Sequence, residues 1–256
     1  MIPLRDYQPS GTFPVLTIAI IAINLLVFFY QFMLSRSEVD IAQDPREWVQ
    51  EWQNAGCHVP PEFAYQLESA KITATDLFAL KYGTVPCKIT HGQDLPPFVP
   101  FSIWLTLLTA MFLHGGLIHV LGNMWYMWIF GDNVEDTFGR TKFLMFYLVS
   151  GLVAAVTQIS ADPNGVLPMI GASGAIAGVL GAYMILFPYG RVLTLMPFYF
   201  VVQMPAEIVL GIWFVLQFIG AIIVSANGGG VAYWAHIGGF LTGAVMALVL
   251  KFVRRI

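Results

Sequence analysis

The chain is patterned in long apolar runs separated by short polar breaks, with one long polar stretch after the first run. Six runs stand out, near 13–33, 115–131, 142–160, 168–188, 206–225 and 232–252. Each approaches the roughly 20 apolar residues that a helix needs to cross a bilayer. The second is short and extends back through "FSIWLTLLTAMFLHGG", whose apolar part reads as interfacial or re-entrant rather than as a span of its own. The pattern predicts an all-α fold, a polytopic bundle of six transmembrane helices.

Composition strengthens this reading. Of 256 residues 57% are hydrophobic and 11% charged, and the mean hydropathy is +0.72. A soluble domain carries about 25% charged residues. The net charge of -3, with 12 Lys and Arg, provides no basic patch for nucleic acid, so no nucleic-acid partner is expected. The first run lacks a small-residue cleavage site after it, and reads as a retained span rather than a signal peptide.

The polar stretch 35–100 holds nine of the fifteen acidic residues and both cysteines. Arg5, Arg140, Lys142, Arg191, Lys251, Arg254 and Arg255 fall on one side of the six-span topology. The two short loops on the other side, "SADPNGVLP" and "SANGGGVAYW", carry no Lys or Arg. The long first loop has Arg36, Arg46, Lys71, Lys81 and Lys88, but loops beyond about 60 residues largely escape the positive-inside rule. The expected organisation is therefore a cytoplasmic N-terminus (1–12), helix 1 (13–33), an extracytoplasmic loop with an interfacial part (34–114), helices 2–6 carrying the site (115–252) and a cytoplasmic C-terminus (253–256). This topology puts Cys57 and Cys87 in a compartment that permits disulfides. A bridge would close a loop of about 30 residues and stabilise it by on the order of 3 to 4 kcal/mol; two unrelated thiols are the alternative.

Polar residues inside spans are costly and normally face the bundle interior or a wet cavity. Here they are His114, His119 and Asn123 at the start of span two, Ser173 in span four and His236 in span six, with scattered Ser, Thr and Gln. Spans two, four and six enter from the same face. Counted from their starts at 1.5 Å per residue, His119, Ser173 and His236 fall roughly 6 to 9 Å deep, in one layer. His119 and Asn123 are four apart and stack on one helix face. Gly174 and Gly178, and Gly239 and Gly243, are small residues at the same spacing, which lets helix backbones approach closely. Spans four and six could then bring the Ser173 hydroxyl to a His236 nitrogen. A serine hydroxyl needs such a base to become a nucleophile, and donors for the oxyanion it generates. His119, Asn123 and backbone N–H groups near Ala172 and Ser173 are available. Glu207 and the acids at 132–136 lie near the opposite face, so the expectation is a Ser-His dyad without a carboxylate.

Three motifs carry a family resemblance: "HGGLIHVLGN" (114–123), "GASG" (171–174) and "AHIGGFLTG" (235–243). Their spacing, order and placement on spans two, four and six resemble the rhomboid family of intramembrane serine proteases. "YGTVP" (82–86) is similar to a stretch in the first loop of many bacterial members, whereas most of 35–80 matches nothing in the family. The resemblance implies a rhomboid-like six-helix core, with Ser173 as nucleophile and His236 as general base. It makes His119, Asn123 and the backbone at Ala172 and Ser173 the oxyanion donors, with His114, Gly171, Gly174, Gly239 and Gly243 in support. It also implies substrates that are themselves transmembrane proteins in a lipid bilayer, cleaved near small or helix-breaking residues, and a bacterial inner-membrane location with the site opening outward. Two departures stand out. Leu105 and Thr106 replace a Trp-Arg pair in the first loop, and Ala177 replaces a tyrosine that packs on the catalytic histidine, which leaves open what orients His236.

Plainer readings accompany each residue. A serine in a Gly/Ala face is commonly packing glue, His236 alone could be an interhelical hydrogen-bonding group, and His119 with Asn123 a polar clasp. His114 and His119 are five apart and lack the carboxylate of H-E-x-x-H, so neither a metal nor a cofactor is expected. His58 and His91 read as solvated loop residues, and "DPREWVQEWQNA" as an interfacial or an ordinary exposed loop helix. The functional alternatives are an inactive rhomboid-like module that binds transmembrane helices, and a small transporter or channel. The near absence of ionisable residues in the inner half and of an inverted repeat disfavours the last.

Overall fold

The computed structural model describes residues 1–35, 45–69, 72–197, 200–227 and 230–254. Arg36, Lys71 and Arg255 of the charge pattern, and positions 228 and 229 of the last short loop, lie outside the described residues. The protein is an integral membrane helical bundle. Its order is β1 (Ile2–Asp6), α1 (Val15–Leu34), α2 (Pro45–Asn54), α3 (Pro61–Glu68), α4 (Ala74–Tyr82), α5 (Pro86–His91), a broken segment centred on α6 (Thr106–Thr109), α7 (Leu117–Phe138), α8 (Arg140–Ala161), α9 (Ser173–Leu186), β2 (Arg191–Leu195), β3 (Val201–Pro205), α10 (Ala206–Asn227) and α11 (Tyr233–Arg254).

Among the described residues four helices, α1, α8, α10 and α11, are long and apolar enough to cross a membrane alone. The segment Ile103–Phe112 and α7 form a pair bent by 79°, which makes a fifth span if the two are counted together. The remaining apolar run differs from the expected 168–188 helix. Its first part, 168–172, is non-helical chain, and α9 has 14 residues, about 21 Å at 1.5 Å per residue. Hydropathy does not separate an extended apolar segment from a helical one, and Pro163, Gly165, Pro168 and Gly171 keep this one from coiling.

The short helix is the centre of the bundle. Gly174 to Tyr183 are all buried, and a helix apolar on every side belongs in an interior. Its neighbours come close because they have no side chain in the way. A Cβ on Gly239 would fall inside contact distance of the Gly174 carbonyl oxygen, and one on Gly243 inside that of Gly178. On its other flank Gly174 faces Ala154 of α8 and Gly178 faces Ser150, where added Cβ atoms would lie 2.6 and 2.5 Å from their Cβ atoms.

The first helix is fastened differently. Thr17, Asn24 and Gln31, seven apart, are its buried polar residues. The Gln31 amide makes two bonds to the His114 backbone, accepting from N–H at 3.0 Å and donating to C=O at 3.3 Å. At the other end the buried Glu135 carboxylate of α7 accepts from Leu16 N–H at 3.0 Å, Thr17 N–H at 2.7 Å and the Thr17 hydroxyl at 2.8 Å. A carboxylate thus caps the first turn of α1, where free N–H groups and the helix dipole favour negative charge.

A cap and a small sheet close the two ends. In the cap, α2 buries Trp48, Val49 and Trp52 against α3 and the loop, so its apolar face packs on protein rather than on lipid. Cys57 and Cys87 are joined in a disulfide, and Lys88 is buried against Asp94 at 3.2 Å. At the opposite end β1, β2 and β3 form an antiparallel sheet in that order, an element that the apolar runs do not announce. It is tied to the bundle by Asp6, whose carboxylate accepts from the Tyr183 hydroxyl of α9 and the Asn133 amide of α7, both at 2.8 Å. Burial pushes the Asp6 carboxyl up to about 6, the Tyr183 hydrogen bond opposing the rise and the Asp132 charge adding to it.

Two outcomes follow. Gly243→Ala lowers the thermal unfolding midpoint in detergent, because a Cβ against a backbone carbonyl is overpacking of about 1–3 kcal/mol; Gly211→Ala, where nothing lies within 4 Å, leaves it unchanged or slightly higher. A carboxyl whose folded pKa is raised contributes proton-linked stability that is complete below the unfolded value and lost as pH rises through the folded one. The unfolding midpoint therefore falls more between pH 4 and pH 7 in the wild type than in Asp6→Asn.

Candidate active site

Ser173 is the first residue of α9, not the sixth of a helix starting at 168. His236 is the fourth residue of α11 and His119 the third of α7. The common layer survives this correction because all three occupy first turns of helices that start at the cap end. The extended segment ahead of Ser173 is positioned by the cap. His58 N–H donates to Asn164 C=O at 2.8 Å, Cys87 N–H to Gly165 C=O at 3.0 Å, and Thr84 and Met169 exchange N–H···O bonds of 3.0 and 2.8 Å. Gly171 N–H then donates to Ala110 C=O at 2.8 Å. Gly171 has φ +129°, and a Cβ there would meet His119 Nε2 at 2.9 Å. The glycine of the motif serves both the backbone turn and the close approach of the imidazole.

The Ser173 Oγ lies 2.9 Å from His236 Nε2. That is hydrogen-bond reach between a nucleophile and its base. The first bond within α9 runs from Ile176 N–H to Ala172 C=O at 3.0 Å. The N–H groups of Ser173, Gly174 and Ala175 precede it and have no intrahelical acceptor by helix geometry, so they form a positive helix terminus beside the hydroxyl. Gly115 N–H donates to His119 Nδ1 at 3.4 Å; with that nitrogen accepting, the neutral ring carries its proton on Nε2, the atom facing Gly171. Asn123, one turn further along α7, is buried, and its Nδ2 has no partner among the described residues. An unsatisfied buried donor costs about 1–3 kcal/mol, which an arriving anion would offset. His114 packs edge-on to His119 with ring centroids 5.1 Å apart.

Among the described residues one grouping of His, Cys, Asp or Glu has metal-holding geometry, Cys57, Cys87 and His91. Its two sulfurs are already bonded to each other. His91 Nδ1 sits 3.5 Å from Cys87 Sγ. Beside Ser173 a cavity of about 40 Å³ is lined by small or apolar residues, among them Gly151, Ala154, Gly174, Ala232 and Ala235.

The departure at Ala177 is answered by residues that the motifs do not contain. Ala177 is fully buried within α9, and the rings beside His236 are Trp213 of α10 at 5.9 Å and Tyr233 of α11 at 6.2 Å, centroid to centroid. His236 Nδ1 lies 2.8 Å from Gln217 Oε1, again on α10. Gln217 is missed by sequence reasoning. The available signal is a glutamine in the middle of an apolar span, a residue expected to face the bundle interior.

The model of the Rhomboid domain family matches residues 102–252. Similar proteins include "Rhomboid protease GluP" of Bacillus subtilis, 31% identical over 124 residues, which are 48% of this chain and 24% of that protein. "RHOMBOID-like protein 6, mitochondrial" of Arabidopsis thaliana is 31% identical over 150 residues, 56% of this chain and 43% of that protein. "Putative rhomboid protease YdcA" of Bacillus subtilis is 35% identical over 86 residues, 33% of this chain and 43% of that one. The chain thus spans less than half the length of these relatives.

Proposed function

We propose, from the premise that this chain belongs to the rhomboid family, that it is an intramembrane serine endopeptidase acting on transmembrane protein substrates. The observation that carries this reading is the 2.9 Å approach of Ser173 Oγ to His236 Nε2 at the N-terminus of α9. In the first half-reaction Ser173 Oγ attacks the scissile carbonyl while His236 Nε2 takes its proton. The oxyanion that develops is met by Asn123 Nδ2, His119 Nε2 and the N–H groups at the start of α9, with Ala172 shaping the turn that presents them. The imidazolium then gives its proton to the leaving amine, and the new chain end departs. Water enters, His236 takes its proton, and attack on the acyl-serine releases the acid and restores the hydroxyl.

Substrate form follows from the same features. An amide inside an intact helix is blocked by its own hydrogen bonds and side chains, so the cleaved segment must open locally. The small cavity beside Ser173 suits a small side chain next to the cut. The Lys and Arg distribution supports an N-in, C-in orientation, and the membrane proposed is a bacterial inner membrane. The disulfide in the cap, at the same end as Ser173, supports an oxidising compartment there. In this reading 34–114 is the extracytoplasmic cap and 115–252 the catalytic core, with His114, Gly171, Gly174, Gly239 and Gly243 supporting the geometry.

The test is cleavage of a generic transmembrane reporter by detergent-purified protein. Wild type cuts, and Ser173→Ala and His236→Ala lose nearly all activity. Asn123→Ala folds normally and loses about 10²–10³ in kcat, the usual effect of removing one oxyanion donor. Cleavage that survives Ser173→Ala overturns the serine-protease reading, and a folded wild type inactive on several reporters turns it into that of a helix-binding module.

A further inference from the structure

We propose that Gln217 is the positioning residue for His236, so that the working unit is a relay of three side chains, Gln217, His236 and Ser173, with an amide where a carboxylate would ordinarily stand. The inference rests on the reading of Ser173 and His236 as the hydrolytic pair, and goes beyond it by assigning the group that sets the imidazole's tautomer and orientation.

The hydrogen-bond chain fixes the direction of every donor. Gln217 Nε2 lies 3.0 Å from the Trp213 carbonyl oxygen. A carbonyl only accepts, so the amide nitrogen belongs on that side and Oε1 faces the imidazole, 2.8 Å from His236 Nδ1. An acceptor oxygen at that distance requires the hydrogen on Nδ1. The neutral ring then presents a lone pair at Nε2, to which the Ser173 hydroxyl donates at 2.9 Å. The chain runs from Ser173 O–H to Nε2, from Nδ1–H to Gln217 Oε1, and from the Gln217 amide to the backbone of its own helix. When His236 takes the serine proton both ring nitrogens carry hydrogen, and the Oε1 bond persists.

Packing holds this arrangement in place. Gln217 is 9% exposed. Trp213, Gln217 and Gly220 lie four and three residues apart, on the face of α10 turned toward α11. The Tyr233 ring occupies the space at Gly220, where an added Cβ would fall inside contact distance of it. The Trp213 and Tyr233 rings therefore flank the imidazole while Gln217 holds its far edge.

The choice of an amide has a physical reason. A carboxylate within a span carries a charge that lipid penalises. Glutamine selects the same tautomer while remaining neutral. The chain's acids on neighbouring helices lie elsewhere: Glu207 is ten residues earlier on α10, about 15 Å along the axis, and Glu135 is committed to the start of α1.

The test measures kcat, KM and the pH–rate profile of the reporter reaction for wild type, Gln217→Leu, Gln217→Glu, Ser173→Ala and His236→Ala, each with its unfolding midpoint. Gln217→Leu is expected to lose about 10- to 100-fold in kcat, the scale of groups that orient a functional histidine from behind. Its KM stays within about twofold and its unfolding midpoint is unchanged. Gln217→Glu keeps the acceptor, so it retains most of the rate, and its acid limb moves to higher pH as the carboxylate favours the imidazolium. The inference is overturned if Gln217→Leu turns over at the wild-type rate, if its loss follows a fall in unfolding midpoint, or if folded Gln217→Glu is inactive or shares the wild-type pH profile. Should Gln217→Leu fail to fold, the Gln217→Glu profile decides alone. Activity surviving in Ser173→Ala overturns the serine-protease reading itself; an inactive Ser173→Ala beside wild-type behaviour of the Gln217 variants overturns only the role of Gln217.

Discussion

The approach of α9 to α11 at the level of bare backbone is the contact on which the rest of the structure depends. In lipid there is no water to drive apolar helices together, so association rests on van der Waals contact and interhelical hydrogen bonds. Gly239 and Gly243 remove the atoms that would hold the two helices apart, and each lies against a carbonyl of α9, at Gly174 and Gly178. Ser173 and His236 sit one residue before Gly174 and three before Gly239. Their 2.9 Å separation is a consequence of that contact, since neither side chain could bridge two helices spaced by leucines.

Around this pair the bundle uses buried polar groups as fasteners with specific partners. Glu135 holds the start of α1 and Gln31 holds its far end to the His114 backbone. A buried carboxylate without donors would be costly; here three donors converge on it, two of them backbone groups that the helix start leaves free. At the site the pattern differs. Asn123 Nδ2 lacks a partner among the described residues, and it does so where the proposed reaction would create an anion.

Much of this was legible in the sequence, and what was not has definite physical causes. The four-residue spacing of His119 and Asn123, and of the paired glycines, places residues on helix faces whatever the tertiary context, so those faces could be read directly. The start of α9 could not, because an apolar run says only that residues are buried, and Val166 is buried outside any helix just as it would be within one. Gln217 was visible as a polar residue in the middle of an apolar span, but its partner is 19 residues away on the next helix, and only the packing of α10 on α11 identifies which nitrogen it meets. The sheet was hidden for a related reason: β1 pairs with β2 far along the chain, Ile2 opposite Leu195, and five-residue strands leave little periodicity to detect.

The short α9 and the disulfide-bonded cap are two halves of one solution. A helix of about 21 Å cannot cross a hydrocarbon layer of about 30 Å, so the remaining depth must be covered by non-helical chain. Non-helical backbone is tolerated at membrane depth only where protein or a water-filled cavity satisfies its N–H and C=O groups. The segment 162–172 meets this condition through the pairs with His58, Thr84, Cys87 and Ala110, all within the 34–114 cap. The recessed helix start in turn leaves N–H groups unclaimed beside Ser173, below the cap and within the bundle. A full-length fourth helix would have used those groups in its own ladder and carried the serine into mid-helix, where its hydroxyl would be only packing glue. Shortening the central helix converts a structural serine into one placed at a positive helix terminus, and the cap makes the shortening possible.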